Sequence, residues 1–490
     1  MRFLPVIGLE THVQLSTKTK LFCGCSTDIE KKSPNSNVCP ICLAHPGTLP
    51  VPNNQAIRYA VLLGLALNGN ITAHSKFDRK HYFYPDLPKA YQISQFDLPV
   101  MRDGYLDIEV AGQAKPVRVG LERMHLEEDA GKNIHGADGH TYVDFNRGGA
   151  ALCEIVTKPD IHSAAEAKAY LYELRLLVRT LGVSDGDMEK GQLRCDVNIS
   201  LREVDDAGNW LGPLNTKTEL KNLNSFRAVE RAIQYEVTRQ TELWAAGTPP
   251  LKTTTRGWND VAGITEEQRV KEDAADYRFF PEPDIPPLEL ADLAVEMARL
   301  MPEMPAAKRA RFISEFGFKA DDARQLVENT ALANFTEQVY SELMVDLEPS
   351  PKLSKLLAGW LLTKLTALIA DRKVEIDEAK ITPAYFAEFL NLIASNQLTA
   401  AKGLEVLGAM LDNGWSAPHT MESLGAVKID SSAALQEMVA DIMKKNPNEV
   451  TRYKNGEAKL LQFFLGQLMR ATKGNADPDL ATQTILDALA

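Results

Sequence analysis

Four prolines within seven residues divide this chain into two parts of different character. Residues 279–287 read Phe-Phe-Pro-Glu-Pro-Asp-Ile-Pro-Pro. Proline fixes φ and lacks a backbone N–H, so this segment is either a domain boundary or a rigid, extended crossing. Before it, short alternating polar and apolar runs are typical of strands, and after it the pattern is almost entirely helical. We therefore predict an α+β N-terminal domain followed by an all-α region.

The 490 residues are enough for two or three domains. We place the first at 1–290, a helical domain at 291–410 and a helical tail at 411–490. In the first domain, Ser163 with Glu166 forms a capping box, and Asn224 or Ser225 caps a second helix. In the helical region, Thr382 before Pro383 is a helix start.

Composition limits the class of protein. No uninterrupted apolar run approaches the ~18–20 residues that span a membrane, and a strand-like pattern begins at once, which leaves no room for a signal peptide. Six cysteines in so long a chain do not form a disulfide scaffold. We expect a cytoplasmic protein with no membrane partner. The net charge of −12 argues against a protein that coats nucleic acid without specificity.

Several predicted strands carry charged residues on one face. Because successive side chains alternate between faces, Glu10 shares a face with His12, and Arg194 shares one with Asp196. Lys217, Glu219 and Lys221 share a face on another strand. Carboxylates suit Mg²⁺, Lys and Arg suit phosphate, and His12 keeps Mn²⁺ open. A metal-and-phosphate site and a set of ordinary solvated strand faces are both consistent with this pattern.

The sequence lacks two common nucleotide-binding motifs, the Gly-x-x-x-x-Gly-Lys-Ser/Thr loop and the Gly-x-Gly-x-x-Gly fingerprint. Gly131-Lys132 is followed by Asn133 rather than Ser or Thr, and no Gly-x-Gly-x-x-Gly occurs. Any nucleotide binding is therefore of another kind.

Four cysteines form two close pairs in a loop at 23–42. Cys23-x-Cys25 and Cys39-x-x-Cys42 match the spacing of a tetrahedral zinc site, and four protein ligands would make that zinc structural. The alternative is four unligated thiols. Cys153 and Cys195 lie on apolar strand faces and are predicted to be core residues.

Long motifs resemble the B subunit of the glutamyl/aspartyl-tRNA amidotransferase, and the likeness covers essentially the whole chain. They are Gly8-Leu9-Glu10-Thr11-His12-Val13-Gln14-Leu15, the segments 79–89 and 91–95, His125-Leu126-Glu127-Glu128-Asp129-Ala130-Gly131-Lys132, Arg194-Cys195-Asp196-Val197-Asn198, the segments 219–226 and 276–284, Asn446-Pro447 and the segment 466–474. The chain departs from the family at His81, Gln268 and Glu457, where Asn, Met and Lys are more usual.

The resemblance implies one component of a three-subunit enzyme. Its first domain would be a catalytic cradle with an antiparallel sheet, similar to the glutamine synthetase catalytic fold. It would use ATP and Mg²⁺ to phosphorylate the side-chain carboxylate of misacylated Glu-tRNA(Gln) or Asp-tRNA(Asn). Ammonia from glutamine, released by the A subunit, which is a glutaminase, would then displace the phosphate. A small C subunit would complete the complex, and a YqeY-like tail would contact the tRNA.

Candidate residues follow from this assignment. The candidate catalytic residues are Glu10, His12, Glu127, Glu128, Asp196 and Glu219, of which Glu10, His12 and Glu127 are assigned to magnesium. The candidate ATP and phosphate ligands are Lys80, Lys89, Arg194, Lys217 and Lys221. The candidate zinc ligands are Cys23, Cys25, Cys39 and Cys42.

The tail is locally basic although the chain is acidic. Residues 444–474 hold seven cations and two acids. Such a run is either a solvated helix face or a contact with RNA phosphates. With the resemblance we favour RNA, and we assign tRNA binding to Lys454, Arg470 and Lys473.

Two other functions compete with the amidotransferase. A ligase like glutamine synthetase would act on a free small acid, but such a substrate needs no helical tail. A zinc-stabilised RNA-binding adaptor without catalysis would not concentrate acids on strand faces, because acids repel RNA unless a metal intervenes.

Overall fold

The computed structural model describes residues 2–270, 277–426, 432–472 and 474–489. They form a mixed α+β N-terminal unit, 1–304, and a helical unit, 305–490. The strands are β1 (Arg2–Gln14), β2 (Asn70–Ile71), β3 (His74–Ser75), β4 (Asp78–His81), β5 (Tyr91–Ser94), β6 (Met101–Ile108), β7 (Val117–Glu128), β8 (Lys132–His135), β9 (Thr141–Asp144), β10 (Ala151–Thr157), β11 (Leu193–Val204), β12 (Thr218–Lys221), β13 (Thr254–Asn259), β14 (Ile264–Val270), β15 (Phe280–Pro281) and β16 (Leu288–Glu289). The helices of the N-terminal unit are α1 (Asn54–Ala66), α2 (Ala164–Thr180), α3 (Phe226–Ala245) and α4 (Ala291–Arg299).

A nine-stranded sheet organises the N-terminal unit, with the order β14-β13-β12-β11-β1-β10-β7-β6-β2. The strand pairs are antiparallel except for β12 and β13, which are parallel. A parallel pair needs a crossover connection, and α3 lies in that connection. The predicted antiparallel sheet is therefore correct for all but this pair.

The two faces of the sheet differ as the alternation predicts. On β1, the residues Leu9, Thr11 and Val13 are each at most 1% exposed. Leu9 and Val13 belong to the core that includes residues of α1, α2 and α3, together with Cys153 and Cys195, which were predicted to be core residues. Glu10 and His12 lie on the opposite face. Helix packing on one face therefore fixes which side chains the other face presents.

The helix starts agree with the capping signals. Ser163 caps α2 by accepting a hydrogen bond from the Glu166 amide (3.1 Å), while the Glu166 carboxylate accepts from the His162 amide (2.7 Å). Ser225, rather than Asn224, caps α3. These caps satisfy backbone N–H groups that have no partner within the helix.

The proline-rich segment is extended and pairs with short strands. Phe280 lies opposite Arg79 on β4, and Leu288 lies opposite Ser75 on β3. Beyond it, α4 packs on α1, with Arg58 and Glu296 joined at 2.7 Å. The compact N-terminal unit accordingly runs to Met304. The domain limits at 290 and 410 stay predictions.

The second unit is helical. Its helices are α5 (Pro305–Ser314), α6 (Ala320–Val327), α7 (Thr330–Asp346), α8 (Pro351–Gly359), a π-helical stretch (Trp360–Leu365), α9 (Thr366–Arg372), α10 (Pro383–Ala394), α11 (Ala400–Asn413), α12 (Ala417–Ser423), α13 (Ser432–Lys445), α14 (Pro447–Lys454), α15 (Leu460–Ala471) and α16 (Pro478–Leu489). Thr382 caps α10 as predicted. Residues of α13, α15 and α16 share a small core of their own, which includes Leu435, Phe464 and Ile485.

One helical stretch has the length and composition of a membrane span. Residues 351–372 have a mean hydropathy of 1.4 over their most apolar window. The expectation that no apolar stretch approaches this length is therefore wrong. About 44% of that window is buried inside the protein. A core helix of a folded domain passes the same test. The absence of a membrane partner stays a prediction.

Candidate metal and phosphate site

The central strand β1 brings Glu10 and His12 to the middle of the polar face. Glu10 lies opposite Asp196 of β11, and His12 lies between Glu154 of β10 and Arg194 of β11. Residues directly opposite in an antiparallel pair point to the same face. The predicted grouping of Glu10, His12 and Asp196 is therefore present.

A second pair of strands adds three further side chains. Leu152 lies opposite Glu127, and Glu154 lies opposite His125, which places Glu127, Glu154 and His125 together. The His12 Nε2 atom is 3.3 Å from a Glu127 carboxylate oxygen and 3.3 Å from one of Glu154. Glu127, which was assigned to magnesium together with Glu10 and His12, therefore lies against His12.

Glu154 and His125 were not among the predicted site residues. Glu154 is the only charged residue in the buried strand β10, Ala-Leu-Cys-Glu-Ile-Val-Thr, and it is 5% exposed. A single acid in an apolar strand is a signal that sequence inspection could have used, because a charge is rarely buried without a partner. His125 shares a strand face with Glu127, and alternation alone would have included it.

Two groups of ligand atoms converge on Glu154. Glu10, His12 and Glu154 form one, and His125, Glu127 and Glu154 form the other, with all ligand atoms of a group within 4.8 Å of one another. The Nδ1 atom of His125 is buried and has no hydrogen-bond partner among the described residues. Buried carboxylates and imidazoles at these separations fit a divalent cation such as Mg²⁺ or Mn²⁺.

The cluster shifts the proton affinities of its members. Burial disfavours the charged imidazole of His12, but hydrogen bonds to Glu127 and Glu154 outweigh it and raise the pKa of His12 well above its usual value. Burial also opposes ionisation of Glu154, yet the charge of His125 and the hydrogen bond from His12 lower its pKa to about 2. Burial, followed by repulsion from Glu154, raises the pKa of Glu10. Without a metal, the His12 imidazolium neutralises part of the carboxylate charge.

Two of the predicted phosphate ligands are paired with acids on this face. Lys221 forms ion pairs with Asp196 and with Glu219, the latter at 3.2 Å. Arg194 donates to both carboxylate oxygens of Asp129, one of them at 3.0 Å. These cations lie beside the acids, as predicted, but each already has a carboxylate partner.

The other predicted ligands lie apart from the two metal groups. Lys89 pairs with Glu128 at 2.7 Å, and the Ile93 amide also donates to that carboxylate. Lys89 and Glu128 line a separate cavity of about 200 Å³ that also touches Cys42. Lys80 lies over the ring of Tyr277, 4.9 Å from its centre, and Lys217 is exposed. The roles predicted for these residues stay predictions.

The four cysteines of the loop converge as a metal site requires. The sulfur atoms of Cys23, Cys25, Cys39 and Cys42 all lie within 4.8 Å of one another. A tetrahedral zinc with Zn–S bonds of about 2.3 Å separates its sulfurs by about 3.8 Å. The pKa of Cys42 is lowered to about 4, chiefly by a hydrogen bond from Cys23 and also by the Cys39 amide and the charge of Lys20. The same hydrogen bond, with burial, raises the pKa of Cys23, and burial raises the pKa of Cys25 to about 11. A bound metal deprotonates its thiol ligands. The donor set therefore fits a thiolate metal such as zinc.

The basic tail residues lie on α14 and α15. Lys454 is the last residue of α14, Arg470 lies in the last turn of α15, and both are exposed. Arg452 pairs with Glu457 at 2.6 Å and Lys445 with Asp441 at 2.6 Å. Lys473 lies outside the described residues. Among the described residues, Lys454 and Arg470 have no such acidic partner.

Fold and site together define a protein in which an α+β domain with a candidate divalent-cation site precedes a helical region. Family models match both parts: the GatB/GatE catalytic domain at residues 5–296 and a GatB domain, named for YqeY, at residues 342–489. The chain is also similar over its full length to curated proteins named as the B subunit of aspartyl/glutamyl-tRNA(Asn/Gln) amidotransferase. It is 43% identical to that of Thermodesulfovibrio yellowstonii, with 100% of both chains covered.

Two further relatives carry the same name. The Thermotoga maritima protein is 43% identical, with 99% of this chain and 98% of the relative covered. The Thermosynechococcus vestitus protein is 45% identical, with 100% and 97% covered. The chain therefore belongs to the family of the aspartyl/glutamyl-tRNA amidotransferase B subunits.

Glu154 is expected to be the most important single cation ligand, because both ligand groups include it. Replacing it by Gln should weaken Mn²⁺ binding by at least about tenfold, and by more than Glu10→Gln. Manganese titration followed by electron paramagnetic resonance measures the affinity. Glu230→Gln is the matched control, since Glu230 lies on α3 and pairs with Lys168 of α2 at 2.7 Å rather than with a residue of the cluster. Equal Mn²⁺ affinity in wild type and Glu154→Gln would contradict the assignment.

Cation affinity should rise with pH. The raised pKa of His12 means that the folded chain holds a proton there, which a cation must displace. The affinity for Mn²⁺ should therefore increase by up to about tenfold per pH unit below that pKa and become constant above it. His12→Gln should flatten this dependence. An affinity that is independent of pH in the wild type would show that no such proton is released.

Proposed function

We propose that this chain is the kinase and amidation subunit of a tRNA-dependent amidotransferase. It would use ATP to phosphorylate the side-chain carboxylate of Glu-tRNA(Gln), Asp-tRNA(Asn) or both, and then convert the acyl phosphate to an amide with ammonia. The observation that carries the proposal is the convergence of Glu10, His12, Glu127 and Glu154 beside Lys221 and Arg194 on one sheet face. Family membership supports the same reaction.

The reaction needs positive charge because it joins two anions. A carboxylate oxygen attacks the γ-phosphorus of ATP, the bond to the β-phosphate oxygen breaks, and ADP leaves. Mg²⁺ bound by the carboxylates would neutralise the phosphates in this step. Glu10, His12, Glu127 and Glu154 would hold the cation, while Lys221 and Arg194 would contact the phosphate oxygens. Lys80, Lys89 and Lys217 are further candidates, as are Glu128, Asp196 and Glu219 among the acids.

The second step exchanges phosphate for nitrogen. Ammonia attacks the acyl carbon, phosphate leaves, and one proton is lost to give the neutral amide. Water would hydrolyse the acyl phosphate, so the site must exclude it while ammonia arrives. We assign the supply of ammonia to a glutaminase, the A subunit, and assembly to a small C subunit, which agrees with relatives that are named as B subunits.

Four finer assignments accompany the proposal. The N-terminal domain would share the glutamine synthetase catalytic fold, since a large, mainly antiparallel sheet presents its acids on one face. The loop at 23–42 would bind structural Zn²⁺ through its four cysteines. Residues 291–410 and 411–490 would be separate helical domains, the second a YqeY-like tRNA-binding tail. A cytoplasmic location fits an enzyme of translation and four thiol ligands.

Reconstitution tests the reaction directly. The chain, combined with its glutaminase and small partner subunits, glutamine and ATP, should form amide on misacylated tRNA and none on free glutamate. Glu10→Gln should reduce ATP-dependent amidation by at least about a hundredfold while glutamine hydrolysis by the glutaminase continues. Turnover of free glutamate would favour the glutamine synthetase-like ligase. Full-rate amidation by Glu10→Gln would refute the cation assignment.

Tail substitutions test the RNA contact. Lys454→Gln with Arg470→Gln should weaken tRNA binding by several-fold at low salt, and the slope of log affinity against log salt should fall by about two. Filter binding across a salt series measures both quantities. Lys445→Gln is the control, because Asp441 already balances that charge. Unchanged affinity at low and high salt would place the tRNA elsewhere.

A further inference from the structure

Lys20 is a buried lysine beside the cysteine loop at 23–42. Its side chain is only 1% exposed. The ammonium donates to the carbonyl oxygens of Asn37 (3.1 Å) and Phe145 (3.3 Å) and lies 3.7 Å from the Cys42 sulfur. An ammonium has three N–H donors, and these three acceptors account for all of them.

The Lys20 ammonium lies beside a metal site that would carry excess negative charge. Four thiolates around one divalent cation leave a net charge of two negative. The loop is partly buried, so water screens that charge only in part.

Lys32 is the informative comparison, since it donates to the Asn37 side-chain oxygen at 2.9 Å and contacts no cysteine in the described structure.

The carbonyl contacts join the loop to a distant turn. Phe145 belongs to the turn between β9 and β10, and the same turn is joined to the loop by the Asn37 amide, which donates to Asn146 (2.8 Å). The Asn35 amide also donates to Asp144 (2.9 Å). Lys20 therefore belongs to a hydrogen-bond network that holds the cysteine loop against the turn before β10.

We propose that Lys20 is a positioning residue for the metal of the cysteine loop, acting as an internal counter-cation for the thiolates while it fixes the loop to the turn at Phe145. The proposal rests on the proposed zinc content of the loop and assigns a function to a residue outside the four ligands. Residues that contact metal ligands commonly change metal affinity by about 10–100-fold when they are removed.

Zinc release measures this role without any activity assay. The full chain, loaded with zinc, is mixed with excess chelating dye at a temperature well below unfolding. Lys20→Met should release zinc at least about tenfold faster than wild type. Lys32→Met should stay within about twofold, because it removes a contact to the same loop but none to sulfur. Lys20→Arg keeps the charge and should release zinc more slowly than Lys20→Met.

A change in the charge of the cysteine ligands distinguishes an electrostatic role of Lys20 from a steric one. Cys25→His replaces one thiolate by a neutral imidazole and reduces the negative charge of the site by one. In that background Lys20→Met should accelerate release by less than about threefold, since less charge remains to be balanced. An equal acceleration in both backgrounds would overturn the counter-cation role. Zinc release from Lys20→Met at the wild-type rate would also overturn that role.

The zinc content of the wild-type chain shows whether a failure concerns the role of Lys20, the zinc assignment or the proposed function. Less than one zinc per chain would overturn the zinc assignment and the role of Lys20 together, and would leave the amidation reaction to its own test. One zinc per chain with unchanged release from Lys20→Met would overturn the role of Lys20 alone.

Discussion

The antiparallel pairing of β1 with both of its neighbours is the constraint on which the site depends. Glu10 and His12 reach Asp196, Arg194 and Glu154 only because β1 lies between β11 and β10 in this register. A slip of one residue would exchange the two faces of the strand. The buried Leu9 and Val13 oppose that slip, since it would move them out of the core. Apolar packing on one face therefore holds the acids together on the other.

Holding several carboxylates together is costly, and the structure shows how the charge is balanced without a metal. The hydrogen bonds of His12 to Glu127 and Glu154 raise the pKa of its imidazole, which favours the charged form between the two carboxylates. Lys221 and Arg194 pair with Asp196 and Asp129. A divalent cation can take the place of the proton on His12. In the proposed reaction, phosphate oxygens would compete with Asp196 and Asp129 for Lys221 and Arg194. Substrate binding at this face would then be an exchange of ion pairs, which costs less than bringing bare charges together.

Strand alternation was enough to predict much of the site. It grouped Glu10 with His12, and Asp196 with Arg194, because both pairs lie on long, regular strands. It could also have separated Glu127 from Glu128, since adjacent residues point to opposite faces. The pairing of Arg194 with Asp129 was beyond the sequence, because it joins residues that are 65 positions apart through a tertiary contact. The contacts of Lys20 could not be predicted for the same reason, because its partners Asn37 and Phe145 converge only after the loop has folded.

The nitrogen coupling of bound Mn²⁺ tests the central claim, that a cation replaces the proton on His12. Electron spin echo envelope modulation, recorded on the chain with one equivalent of Mn²⁺ and ATP, detects a directly bound imidazole nitrogen. We predict a histidine coupling that is lost in His12→Gln and retained in His125→Gln, which excludes the second imidazole of the cluster as its source. It should also be retained in His162→Gln, since His162 contacts the Pro5 carbonyl instead of the cluster. A coupling that survives in His12→Gln, or its absence from the wild type, would contradict the account.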